Sequence, residues 1–303
     1  MPTSSVLVTG ASSGLGLVTS TELAAAGLHV VMACRSVERG EAAAAQIRAT
    51  HPAASVEILE LDLASLASVR SAAATVVGGD RPPLQALVCN AGIQIIGGIK
   101  ASQDGYELTF ATNHLGHFLL VELLLDQLVE PARIVMVSSE VHQGPLKSMG
   151  FPAPQWESAT TLADPLAPGV KTTAKAGRVR YANSKLANLY FTYELARRLG
   201  TRKITVNAFD PGLMPETSLD RDYPGVMQAV YGRMAPLLHT LPGARSVLQS
   251  GSDLAWMVTA PELAGVTGAY YSGRKRRNSS KESHDTGRGT ELWAASEKLV
   301  ATG

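Results

Sequence analysis

Cysteine is scarce: only Cys34 and Cys89 occur, and each lies inside an apolar run that reads as a buried strand. Packing explains them better than a disulfide framework or a metal site, and a reducing compartment fits. A dominant charge sign is missing too. Twenty-seven Lys and Arg against 26 Asp and Glu leave a formal charge of +1, too little to gather nucleic acid or coat an anionic membrane, so the expected partner is a small molecule. No apolar run approaches the roughly 20 residues of a membrane helix, which argues against a transmembrane segment. Met1-Pro2-Thr3 leads straight into strand-like Val6-Leu7-Val8 without the cationic and apolar regions of a signal peptide. A soluble, cytoplasmic protein is the expectation, and no internal repeat or low-complexity domain is visible.

What the chain does have is alternation. Its 303 residues suffice for one large core, so 1–303 is expected to form a single domain. Short apolar runs alternate with alanine-rich amphipathic stretches, a pattern most simply solved by a doubly wound parallel α/β sheet with helices on both faces. About seven strands are expected: Ser5 to Thr9, His29 to Cys34, Val56 to Leu61, Ala86 to Cys89, Arg133 to Val137, Thr205 to Phe209 and Ala269 to Ser272. Helices are expected over Leu15 to Ala26, Val37 to Thr50, Ser65 to Val77, Gly105 to Leu128, Tyr181 to Leu199 and Thr290 to Val300. Two stretches near 143–178 and 219–252 break the rhythm and read as substrate-side insertions, since ligands of open parallel sheets lie beyond the carboxyl ends of the strands. A flexible surface loop is the alternative for the first. The basic run Arg274-Lys275-Arg276-Arg277 reads as part of a solvated loop over Gly273 to Gly289.

The first strand runs into Thr9-Gly10-Ala11-Ser12-Ser13-Gly14-Leu15-Gly16 and then a helix. Glycines stand where the backbone must turn tightly and approach a pyrophosphate, while amides of the turn and of the helix N-terminus supply donors. The second strand ends at Cys34-Arg35, where an NAD site usually places an acidic side chain. The Arg35 guanidinium can instead pair with a 2′-phosphate, which favours NADP(H); capping the strand end in water is the other reading. Asp62, in Leu61-Asp62-Leu63, is placed to accept from an adenine amino group or to cap the next helix. Asn90-Ala91-Gly92 offers a small-residue surface for a flat ring.

Tyr181 and Lys185 stand four apart on one expected helix and project from one face. A tyrosine hydroxyl, ordinarily titrating near 10, can exchange a proton with a carbonyl or alcohol oxygen if an ammonium stabilises its phenolate. Such a pair is common on exposed helices, and its weight comes from company. Val137-Ser138-Ser139 ends the fifth strand and presents the Ser139 hydroxyl to a substrate oxygen. Asn113, inside an apolar helix, is expected to organise water or backbone as part of a proton relay. His114 and His117 have no further ligands to complete a metal set and read as core or helix-contact histidines.

In this order the Thr9 to Gly16 loop, Asn90-Ala91-Gly92, Asn113, Ser139, Tyr181-x-x-x-Lys185 and Pro211-Gly212 resemble the short-chain dehydrogenase/reductase family along nearly the entire chain. The resemblance implies a Rossmann-type sheet, catalytic Asn113, Ser139, Tyr181 and Lys185, and cofactor contacts at Pro211, Gly212, Met214 and Thr217. Assemblies in the family are often dimers or tetramers, so a homo-oligomer is an open expectation. Two branches are similar. Val31 to Arg35, Asp62 to Leu66, Thr112 to Leu120, Pro211 to Thr217 and Ser296 to Val300 look like light-dependent protochlorophyllide reductases, whereas Ser184-Lys185-Leu186-Ala187-Asn188 is similar to retinol-dehydrogenase-like enzymes. The leading expectation is a dark reaction that moves a hydride between NADP(H) and a carbonyl or secondary alcohol on a bulky, apolar small molecule. Photochemical reduction of a pigment double bond is the alternative, and a non-catalytic NADP(H)-binding sensor is the alternative of another class.

Overall fold

The computed structural model describes residues 2–148, 150–214 and 244–301. Strands β1 (Ser5–Thr9), β2 (His29–Cys34), β3 (Ser55–Glu60), β4 (Leu84–Cys89), β5 (Ala132–Val137), β6 (Ile204–Asp210), β7 (Tyr270–Ser272) and β8 (Lys275–Arg277) form one sheet in the order β3-β2-β1-β4-β5-β6-β7-β8. Every neighbouring pair is parallel except β7 and β8. The inner strands are apolar throughout because both of their faces are covered. Along β1 and β2, Leu7 and Val31 enter one core cluster while Val6, Val8, Val30 and Met32 enter the other. The period-two alternation of a strand thus serves two cores.

One layer is built from the Leu66–Gly78, Ala174–Arg198 and Thr286–Ala301 helices and a composite helix over Leu108–Gln127. The other contains the Gly14–Ala25, Val37–Thr50 and Val247–Thr259 helices. From β1 the chain winds outward to β2 and β3, then returns past β1 to β4. The connections leaving β1 and β4 therefore diverge, and a crevice opens at their carboxyl ends.

Three expectations need correction. The sheet has an eighth strand, and it lies in the basic run assigned to a loop: Lys275–Arg277 pairs antiparallel with β7, Tyr271 opposite Arg276, with all three residues exposed. Charged exposed edge strands resist pairing with another sheet, so their composition hides their pairing. The helix carrying Tyr181 begins at Ala174, capped by the Thr173 hydroxyl, and takes the last residues of the first expected insertion. A helix at Val247–Thr259 was not anticipated, and it takes the end of the second. The Leu108–Gln127 helix, although 20 residues long and apolar enough by length and composition alone to cross a membrane, has 78% of its most apolar window buried inside the protein and serves as a core helix.

Candidate active site

A cleft of about 520 Å³ opens over the carboxyl ends of the central strands. Its floor is organised by Thr9, the last residue of β1. The Thr9 hydroxyl accepts the backbone N–H groups of Asn90 (2.9 Å) and Ala91 (3.0 Å), and the Asn90 side-chain amide donates to the Thr9 carbonyl at 2.8 Å. The loop after β4 is thereby bolted to the loop after β1.

The three glycines that follow differ in purpose. Gly10 has φ +66°, and a Cβ there would press on Ala91 at 3.0 Å. A Cβ on Gly16 would fall on the Gly10 carbonyl oxygen and 2.6 Å from the Asn90 amide nitrogen, so this residue closes helix against strand. Gly14 has φ +54° and faces open space, leaving room for a ligand at the helix N-terminus, where unpaired amides and the helix dipole attract phosphate. Ser12, Ser13 and Leu15 complete this wall.

Arg35 is exposed at the end of β2 and lines the cleft together with Ser36 and Arg39. Ser36 caps the following helix by accepting from the Arg39 N–H at 3.2 Å, which fixes where that turn presents its second guanidinium. Arg39 escaped the sequence reading; its distance of four residues from Arg35, across a helix start, is the signal that could have found it. Asp62 lines the cleft while one of its oxygens accepts the Ala64 N–H at 3.0 Å, and the cap of the next helix is Ser65. Leu63 is pinned by Gly116, where any Cβ would meet the Leu63 carbonyl. Shape and donor set fit an extended dinucleotide, whose phosphates would be held over Gly14, whose adenine would be held near Asp62 and Leu63, and whose reactive ring would be held near Gly92, where the missing side chain leaves Lys185 Nζ 3.4 Å from an ideal Cβ.

Ser139, Tyr181 and Lys185 line the same cleft, as do Pro211, Gly212 and Met214. Lys185 is buried; its Nζ donates to the Val137 carbonyl at 3.1 Å and lies 5.6 Å from the centre of the Tyr181 ring. Burial pushes the Lys185 pKa down to about 8, with the Asp210 carboxylate opposing the shift. The Ser138 hydroxyl donates to the Lys185 carbonyl at 2.8 Å and locks strand end to helix. Ser139 Oγ accepts the Val141 N–H at 3.4 Å, an acceptor role that leaves its own proton for a substrate oxygen. Phe151, from the stretch expected as a substrate-side insertion, meets the Tyr181 ring edge-on at 6.0 Å and lines the cleft, as does Ser148.

All the expected site residues that the structure describes line this cleft, apart from Asn113. Its amide is fully buried behind the wall, accepting the Ile93 N–H (2.8 Å) and donating to the Ile93 carbonyl (2.9 Å) and Ser184 Oγ (3.0 Å). Asn113 sits in a π-helical turn, Ala111–Leu115, a feature frequent at functional sites. Thr217 lies outside the described residues. His114 and His117 are buried, and each bonds to hydroxyl or carbonyl oxygen: His114 to Ser296 at 2.9 Å, His117 to Thr9 and to the Asn113 carbonyl. Among the described residues no cluster of three His, Cys, Asp or Glu could hold a metal ion.

The short chain dehydrogenase family model matches residues 4–151. The chain is 38% identical over 301 residues to a WW domain-containing oxidoreductase of Danio rerio, covering 97% of this chain and 68% of the relative. It is 36% identical over 304 residues to retinol dehydrogenase 13 of Homo sapiens, covering 99% and 85%. Among solved structures, a protein from Mycobacterium Paratuberculosis aligns with a TM-score of 0.63 and 32% identity over 98% of this chain and 93% of that one. A cleft shaped for a dinucleotide, with a tyrosine and a lysine at its reactive end, is thus found in a chain that belongs to the short-chain dehydrogenase family of oxidoreductases, in its retinol-dehydrogenase-like branch.

Proposed function

We propose that the protein is an NADP(H)-dependent reductase or dehydrogenase acting on a carbonyl or secondary alcohol of a bulky, apolar molecule. The observation that carries this reading is the convergence of Tyr181, Lys185 and Ser139 on one wall of the cleft. The bound nicotinamide supplies or accepts the hydride. The Ser139 hydroxyl donates to the substrate oxygen, and Tyr181 gives that oxygen its proton in reduction or removes it in oxidation. Lys185, held by Val137, keeps a positive charge beside the tyrosine ring and favours the phenolate form during transfer. Asn113 acts from behind by fixing Ile93 and Ser184. Apolar Val141, Phe151, Leu213 and Met214 border the reactive end and suit an apolar substrate that displaces water.

The preference for NADP(H) rests on Arg35 and Arg39, two guanidiniums at the point where a 2′-phosphate would lie. The test is NADPH oxidation with a panel of bulky aldehydes and ketones, all-trans-retinal included, in darkness and under light with protochlorophyllide, with Tyr181→Phe as control. Dark turnover of a carbonyl that the substitution abolishes supports the proposal. Turnover of the pigment alone, in light alone, would replace it with photochemical reduction, and NADPH binding without turnover of any compound would leave a sensor.

A further inference from the structure

We propose that His117 is a positioning residue that ties the dinucleotide cradle to the catalytic centre through a single imidazole. The proposal rests on the oxidoreductase reading of the cleft and adds to it a residue outside the catalytic set. His117 is fully buried, one helical turn after Asn113. Its Nδ1 lies 3.1 Å from the Asn113 carbonyl oxygen and its Nε2 lies 2.9 Å from Thr9 Oγ1.

The protonation pattern follows from the inventory of donors. A carbonyl can only accept, so Nδ1 carries the hydrogen, and a neutral ring then accepts at Nε2. Thr9 Oγ1 already accepts two backbone N–H groups, from Asn90 and Ala91, and its own proton has two acceptors in reach, the imidazole Nε2 at 2.9 Å and the Val88 carbonyl at 3.3 Å, of which the imidazole is the nearer. A protonated ring would press a second donor on an oxygen whose two lone pairs are taken. Burial also drives the ring toward neutrality, pushing its pKa down to about 4, with the charge on Lys185 adding to the shift. One tautomer therefore satisfies every group, and it spans the cleft floor. On one side Thr9 holds Asn90 and Ala91 under the expected cofactor; on the other, Asn113 holds Ile93 and, through Ser184 Oγ, the Tyr181 carbonyl at 2.7 Å. Displacing the ring at either end moves cradle and catalytic helix relative to one another.

The two arms can be cut separately. In His117→Asn the amide nitrogen falls near the Nδ1 position and keeps the Asn113 arm. In His117→Gln the longer side chain offers an acceptor to Thr9 and gives up the Asn113 arm. His117→Phe removes both and keeps the ring volume. With folding checked by circular dichroism, NADPH affinity is read by fluorescence titration and turnover by the best carbonyl of the panel above. The expected result is NADPH affinity about 10-fold weaker in the Asn variant with kcat near parental, kcat about 10-fold lower in the Gln variant with affinity near parental, and both losses in Phe. In the ligand-free parent, 15N chemical shifts of the ring should show hydrogen on Nδ1 and no titration between about pH 5 and 8. A ring protonated at Nε2, folded variants all within twofold of the parent, or equal losses of both quantities in all three would overturn the coupling alone. A parent chain that binds no NADPH would overturn the oxidoreductase reading and the coupling with it.

Discussion

Gly14→Ala and Gly16→Ala put the same methyl group two residues apart and should fail for different reasons. At Gly16 the backbone is helical, and alanine gains roughly 1 kcal/mol of helix propensity over glycine. Against this, the new Cβ falls on the Gly10 carbonyl and within 2.6 Å of the Asn90 amide. Neither neighbour yields easily, since the first is backbone and the second donates to the Thr9 carbonyl at 2.8 Å. Overpacking costs about 1–3 kcal/mol; a contact with backbone belongs at or above the top of that range, which leaves a net loss of roughly 2 kcal/mol. For a chain of this size that is a fall in melting temperature of roughly 4 °C or more, read on the ligand-free protein. At Gly14 a Cβ meets nothing, and the penalty is the left-handed φ of +54°, roughly 1–2 kcal/mol for a non-glycine residue. Its methyl would project into the space assigned to the phosphates, so the thermal stabilisation conferred by saturating NADPH should largely vanish. A Gly16→Ala protein that melts with the parent would refute the closure argument. A Gly14→Ala protein that gains full stability from NADPH would show that the phosphates sit elsewhere.

Three further outcomes are expected. Replacing Arg35 and Arg39 together by serine should lower NADPH affinity by roughly 10-fold or more while NADH binding stays level; parallel losses for both coenzymes would remove the 2′-phosphate assignment. Carbonyl reduction should decline above about pH 8 as Lys185, whose pKa is lowered to about 8 by burial, gives up its proton. A kcat/KM profile flat to pH 10 would show that the charge is not needed. His114, His117 and His142 are buried and neutral, with pKa values pushed down to about 3, about 4 and about 4 by loss of hydration. Folded values lie below the unfolded one, so the stability from these groups is complete above about pH 6.5 and is lost as pH falls toward 4, on the order of 1 kcal/mol per pH unit for each ring. Urea titrations at pH 7, 6 and 5 measure that slope, and an unchanged midpoint would contradict the burial of the rings.

The inner sheet was legible because parallel strands covered on both faces are continuous apolar runs; β1 and β2 end where the sequence places them. The eighth strand was not legible, since Lys275–Arg277 carries no apolar residue and is held by pairing with β7. The Val247–Thr259 helix contains Ser250-Gly251-Ser252, which reads as a turn. In three dimensions Gly251 is small because Val18 and Thr19 of the Gly14–Ala25 helix lie against it. Gly177 had the same effect on the helix that bears Tyr181: a Cβ there would strike the carbonyls of Ile95 and Ile96, so a residue that seems to break the helix marks where it docks. In the site, the sequence located the residues that line the cleft, and Asn113 as an organiser of backbone, but not which backbone it holds. Its amide is buried directly behind the cleft-lining residues Gly92 and Ile93 and bonds to the Ile93 backbone, and it sits in a π-helical turn whose extra residue helical periodicity cannot register.

The Leu108–Gln127 helix also bears on how the chain reaches its folded state. It packs against the earlier Leu66–Gly78 helix, but one side is covered by partners far away in sequence: His114 bonds to Ser296, 182 residues on, and Phe118 meets the edge of Trp293 at 5.0 Å. During synthesis this segment emerges long before the Thr286–Ala301 helix exists to cover it. For that interval the nascent chain carries an apolar helix with one side uncovered, a natural client for chaperones and a nucleus for aggregation. A nonsense or frameshift change between these segments would make the exposure permanent. Lesions near Trp293, far from the cleft in sequence, should therefore reduce the amount of soluble protein before they reduce the activity of each molecule.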